Sequence, residues 1–212
     1  GGDTTFNSTL KTYTGIAQTG TGKVTFRNNV SVTTNDTAST FNNSVGFNSN
    51  TVSGISFTSP GNVTFGSDPT DELTLETQAV TLELNNVALP AASCTVNATV
   101  SGVQNLTLNA LSANDTIEFN APIGSTTTPL GTGTGAAIAI NALGTTTFGS
   151  TIAAANGITQ ADTAGLVTFE GDVTISGFET PSTYNGSLAF SAPSATAITY
   201  SSNGAISIGN NV

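Results

Sequence analysis

Carboxylates are the only side chains in this sequence that could form a catalytic or metal-binding set. The chain carries 13 Asp and Glu residues, one Cys and no His. Without imidazole the usual acid–base relays and nucleophile–base pairs are missing, and a Cys/His zinc site cannot be assembled. Glycoside hydrolysis would need two carboxyl groups facing each other across about 5 to 9.5 Å. Glu76 and Glu83, which flank strand-like runs, and Asp71 and Glu72, which precede one, are the candidates for such a pair. The competing expectation is that all four are solvated acids on strand faces. Asp68, Asp71 and Glu72 form the densest acidic cluster and are the calcium candidates, as hard oxygen donors, although the Gly- and Asp-rich nonapeptide of known calcium-binding repeats is missing. No catalytic residue and no other cofactor is expected. The run Gly131-Thr-Gly-Thr-Gly135 has neither the Lys nor the helix of a phosphate-binding loop and reads as low complexity. Cys94, in Ala-Ala-Ser-Cys-Thr-Val, reads as a buried structural thiol.

Composition narrows the partners. Only 8% of the 212 residues are charged, against about 25% in an ordinary soluble domain, so Thr, Ser, Asn and Gly must build the surface. Net charge is -10, and the three basic residues, Lys11, Lys23 and Arg27, all lie near the start. Phosphate neutralisation needs Lys and Arg, which argues against nucleic acid as a partner. Attraction to anionic membranes is equally disfavoured, and no apolar stretch is long enough to span a bilayer. Asn-x-Ser/Thr sequons recur from Asn7 to Asn185 at about the frequency this composition gives by chance; they permit glycosylation without arguing for it.

The elements that would position these residues repeat. Six times a Phe is followed four residues later by Leu, Val or Ile: Phe6/Leu10, Phe26/Val30, Phe41/Val45, Phe119/Ile123, Phe148/Ile152 and Phe169/Val173. Phe148, Phe169 and Phe190 are 21 residues apart. The Phe closes an alternating run such as Val24-Thr-Phe26 or Val167-Thr-Phe169, and the residue midway to the next apolar position is small or turn-forming. Alternation predicts short strands with one face buried. A small central residue predicts a corner between two of them, through the positive φ that Gly and Asn tolerate. A second motif, apolar-x-apolar-Asn-x-apolar, occurs at Leu82 to Val87, Leu106 to Leu111 and Ile138 to Leu143.

A strand–corner–strand repeated at this period predicts an all-β fold, a right-handed parallel β-helix with coils of about 20 to 24 residues. Residues 1–212 form a single solenoid segment in this reading. Phe26, Phe119, Phe148, Phe169 and Phe190 are expected in its core ladder. An antiparallel β-sandwich is the alternative, since short strands with turn signals suit it too. Gly124 to Gly135 lengthens one coil and is expected to be a surface loop thrown out at a corner.

The segments Asp115 to Leu130, Gly144 to Ile152 and Leu166 to Ile175 resemble the β-strand-repeat exoproteins of bacteria, the filamentous-haemagglutinin-like and autotransporter-passenger class. The resemblance is one of rhythm and composition, clearest from about residue 105 to 195. It implies a parallel β-helix, export to the cell surface or medium, and work as an adhesin, fibre or coat component. It supplies no catalytic residues.

The expected function is therefore a non-enzymatic extracellular structural or adhesive segment. Its partners would be neighbouring repeats or copies of itself, or a host or cell-surface glycan or protein. Two rivals are a self-polymerising pilus or sheath subunit joined end to end by strand addition and a polysaccharide-active solenoid enzyme. Ice binding through Thr rows is disfavoured, because Thr-x-Thr recurs only sporadically. The opening Gly1-Gly2 without Met points to a processed or excised segment, and the absence of a capping helix suggests that the chain continues or stacks.

Overall fold

The computed structural model describes residues 2–86, 90–132, 134–192 and 197–209. Val87, which closes the first Asn-centred motif, and Gly133, in the Gly/Thr run, lie outside these. The strands form three parallel faces: the second and third are continuous sheets, and the first, treated below as one sheet, is a five-stranded and a three-stranded piece joined through isolated bridges at Ile123. In an early coil the strands are Val24–Phe26, Val30–Val32 and Ser39–Phe41, with corners between them. The first sheet continues from coil to coil through Val45–Phe47 and Glu72–Leu75. The second runs through nine strands and the third through eight. Every strand pair is parallel, which removes the antiparallel sandwich and establishes an all-β solenoid of about eight turns.

Coil length varies more than the period suggests. Along the first sheet the register runs Thr4, Val24, Val45, Leu73, Val100, Ile123, Ile152, Val173, Tyr200, giving coils of 20, 21, 28, 27, 23, 29, 21 and 27 residues. The extra residues sit in corners and in longer strands such as Gly54–Ser59 and Ala79–Leu84. The Gly124 to Gly135 insertion is only partly a surface loop. Residues 125 to 128 are exposed, but Leu130 is fully buried and bridges Ala154, returning the chain to the first sheet.

Alternation does what the sequence predicts: strands read buried–half-buried–buried, with Val, Leu, Ile and Phe inward. The aromatic residues, however, form separate columns. Phe41 stacks on Phe65 at 5.2 Å in the third sheet, and further along it Phe119, Phe148 and Phe169 stack at 5.4 and 5.3 Å. Phe26 is buried, but in the first-sheet column with Phe6 and Phe47. Phe190 continues the third-sheet column, 5.7 Å from Phe169, yet is 48% exposed because its strand is the last of that sheet among the described residues.

One motif thus serves two corners. Phe6/Leu10 and Phe26/Val30 join the first sheet to the second, whereas the other four instances join the third to the first. None of their central residues has positive φ. At Gly171 smallness answers a different need, since a Cβ there would lie 2.6 Å from the Ser150 backbone of the adjacent coil. At Asn28 and Asn43 the side chain caps the corner, Oδ1 accepting from the next residue's N–H at 3.0 and 3.1 Å. The Asn-centred motifs all lie on the second sheet, but the first is offset by two positions: Leu82 pairs with Leu108, itself paired with Ile140, and not with Leu106. A two-residue offset keeps the same face inward. Leu111 falls on the outer face and is exposed.

One inward position carries a flaw. Thr146 pairs with Ile117 and Val167 in the core, and its Oγ1 is buried with no hydrogen-bond partner. Thr146→Val keeps the shape and removes the orphaned hydroxyl. We expect it to stabilise the chain by about 1 kcal/mol, read as a higher midpoint in urea unfolding; a lower midpoint would show that the hydroxyl is satisfied.

Candidate functional site

The acidic cluster lies in the corner between Val63–Phe65 and Glu72–Leu75, where it closes the loop. Asp71 is buried, and its Oδ2 accepts from Ser67 N (2.7 Å), Ser67 Oγ (3.0 Å) and Asp68 N (3.4 Å). Asp68 Oδ1 accepts from Thr70 N at 2.8 Å and from the Thr70 hydroxyl, and these bonds hold its carboxyl below the ordinary value. Glu72 is exposed at the start of its strand. No group of three Asp, Glu, Cys or His side chains placed to hold a metal occurs among the described residues. The loop's own N–H and O–H donors engage Asp71 Oδ2 and Asp68 Oδ1.

Glu76 and Glu83 are not brought together either. Glu83 stands on the outer face of the second sheet, where it accepts from Asn109 Nδ2 at 3.2 Å, and Asn109 Oδ1 accepts from Asn141 Nδ2 at 3.0 Å. These three are in register on successive coils and form a polar ladder. Glu76 follows the first-sheet strand and accepts from Lys23 Nζ at 2.9 Å and from Asn48 Nδ2. Both acids are thus engaged in contacts between coils, on different faces of the solenoid.

What the fold does assemble is rows of hydroxyls. On the third sheet Thr40, Thr64, Thr95, Glu118, Thr147 and Thr168 are consecutive register partners and face outward. The second sheet carries Ser56, Thr81, Thr107, Ala139, Thr159, Thr183 and Ser207 in the same way. Neighbouring strands are about 4.8 Å apart, so each row is a regular track of neutral donors and acceptors with methyl groups between them. Glu118 and Ala139 interrupt the tracks, and two faces share the pattern. Among the described residues neither of these two rows is unbroken. The sporadic Thr-x-Thr of the sequence conceals this order, because the rows run across coils of unequal length.

A groove of about 260 Å³ lies beside the place where the first sheet narrows to the single bridge at Ile123. Ser125, Thr126, Thr151, Asp172 and Thr174 supply its polar groups. Asp172 Oδ1 already accepts from Thr199 N at 2.8 Å. Hydroxyls and one carboxylate without an adjacent base can hydrogen-bond a hydroxylated ligand; they do not make a nucleophile–base pair. Sequence reading pointed to this region through its Gly/Thr insertion, but the contribution of Asp172, from a later coil, carries no local signal.

Cys94 is fully buried, and desolvation pushes its thiol up to about 12. Burial and the neighbouring Tyr200 also raise the Tyr184 hydroxyl, which shares a 2.9 Å hydrogen bond with Tyr200. Groups raised on folding hold their protons more tightly in the folded state, so their stabilising contribution is complete below the unfolded values and lost as pH climbs toward the folded ones. We therefore expect the unfolding midpoint to fall between about pH 9 and 12, with Cys94→Ala flattening part of that fall. A thiol reagent should modify Cys94 only on unfolding; rapid labelling of the native chain would contradict its burial.

The fold defines a class, the parallel β-solenoids. Beyond that class, no family model matches the chain, and no curated protein or solved structure matches it significantly.

Proposed function

We propose that this chain is a non-enzymatic structural or adhesive segment of an extracellular β-strand-repeat protein of the filamentous-haemagglutinin-like or autotransporter-passenger kind. The observation that carries this reading is the pairing of a stacked aromatic and aliphatic interior with in-register outer rows of Thr, Ser and Asn on two faces. Such a rod gains stiffness from continuous backbone ladders and stacked cores. Its outer Thr and Ser rows are repetitive and, Glu118 apart, uncharged, suited to many weak polar contacts with a glycan or protein surface, whose strengths combine through multivalency.

Two measurements test it. Antibodies against the chain should label intact, unpermeabilised source cells or their medium, and labelling confined to the cytoplasm would end the proposal. Purified chain should be retained on glycan- or matrix-protein-coated surfaces. Thr95→Arg with Thr147→Arg, both on the outer face, should weaken retention several-fold without moving the melting temperature. Turnover of any polysaccharide that disappears in Glu76→Gln or Glu83→Gln would instead favour an enzyme.

A further inference from the structure

Lys23, Asn48 and Glu76 are far apart in sequence but adjacent on three successive coils of the first sheet. Lys23 directly precedes Val24–Phe26, Asn48 directly follows Val45–Phe47, and Glu76 directly follows Glu72–Leu75. One carboxylate holds the other two: Glu76 Oε1 accepts from Lys23 Nζ at 2.9 Å, and Glu76 Oε2 accepts from Asn48 Nδ2. It is the one ion pair among the described residues. The outward row Thr5, Thr25, Gly46, Thr74, Ser101 loses its side chain only at Gly46. The lysine stem fills that gap, since a Cβ at Gly46 would lie 2.6 Å from Lys23 Cε and 3.0 Å from Nζ. The charged pair is thereby drawn partly out of water, each side chain 31% exposed.

We propose that these three residues form a self-crosslinking centre, in which the Lys23 amine condenses with the Asn48 carboxamide to give an intramolecular isopeptide bond. The arrangement supplies what the reaction needs: a primary amine, an amide carbon, and a carboxylate touching both as proton carrier. Glu76 takes a proton from the Lys23 ammonium, and the flexible stem swings Nζ from Oε1 to Asn48 Cγ. The new Nζ–Cγ bond forms as the carbonyl becomes tetrahedral; Thr77 Oγ1 donates to Asn48 Oδ1 at 3.4 Å. Glu76 hands the first proton to Nδ2 and takes a further one from Nζ, the Cγ–Nδ2 bond breaks, and ammonia leaves, carrying off that last proton as ammonium. Nothing is oxidised or reduced, and the chain loses one ammonia and one positive charge. The product ties two adjacent coils covalently and relieves the cost of a half-buried ion pair.

The test is the intact mass of the purified full chain after prolonged incubation. The wild type should be lighter than its sequence by one ammonia, and digestion should yield a branched peptide joining Lys23 to Asn48. K23R and E76Q should keep their full masses, and N48D should lose one water instead. A wild-type mass equal to the sequence would overturn the proposal. So would ammonia loss that persists in K23R, which would assign it to cyclisation at an Asn-Gly pair such as Asn156-Gly157. K23R preserves the charge and the contact with Glu76, so misfolding does not confound the comparison. Melting of the crosslinked wild type above K23R would give a second, independent readout.

Discussion

Phe169→Ala should destabilise the solenoid by about 3 to 5 kcal/mol, a fall in melting temperature of roughly 6 to 20 °C for a chain of this size. Phe169 is completely buried and stacks on Phe148 at 5.3 Å. It also meets Tyr184 and Tyr200 edge-on, both at 5.9 Å, so its ring is shared by all three sheets. Truncation removes the buried area and leaves a ring-sized cavity that strands locked by ladders above and below cannot close. Phe190→Ala is the internal control. It occupies the next rung but is half exposed, and should cost less than half as much. Equal effects from the two substitutions, measured by urea unfolding, would show that the column is not a graded core.

Asp115→Ala should be comparably damaging, by about 2 to 5 kcal/mol, for a polar reason. Asp115 is almost fully buried at the entry to Thr116–Phe119. Its Oδ1 accepts from Asn86 Nδ2 (2.8 Å) and Ala92 N (3.0 Å), and its Oδ2 from Ser112 N (3.2 Å). Removing the carboxylate strands the two backbone N–H groups, each worth about 1 to 3 kcal/mol when buried without an acceptor. Asn86 keeps its second bond to Pro90 O at 2.9 Å, which limits the total. Asp115→Asn should fall between, because one acceptor oxygen survives. If Ala and Asn variants melt with the wild type, water must be serving these donors and the corner is open.

Asp115 marks the limit of what its sequence context shows. It stands in Asn114-Asp-Thr116, one of the Asn-x-Ser/Thr sequons. Its partners at Asn86 and Ala92 are a coil away, so no local pattern marks it as buried. Asp71 is alike: the sequence shows it as one of a run of acids, and no local pattern marks its burial beneath donors from Ser67 and Asp68. Lys23 and Glu76, 53 residues apart, carried no joint signal at all.

By itself the sequence determined the fold class and most of the interior. Alternation of apolar and polar residues is a property of a strand alone, and recurrence near twenty residues implies stacking of like units. Phe26, Phe119, Phe148 and Phe169 were therefore legible as inward. Only the tertiary structure decided which column each Phe joins, which corner each motif turns, and which outer residues fall into rows. Those depend on register between coils of 20 to 29 residues, and register is set by how each corner absorbs its extra residues. That is a long-range packing result, invisible to any window shorter than a coil.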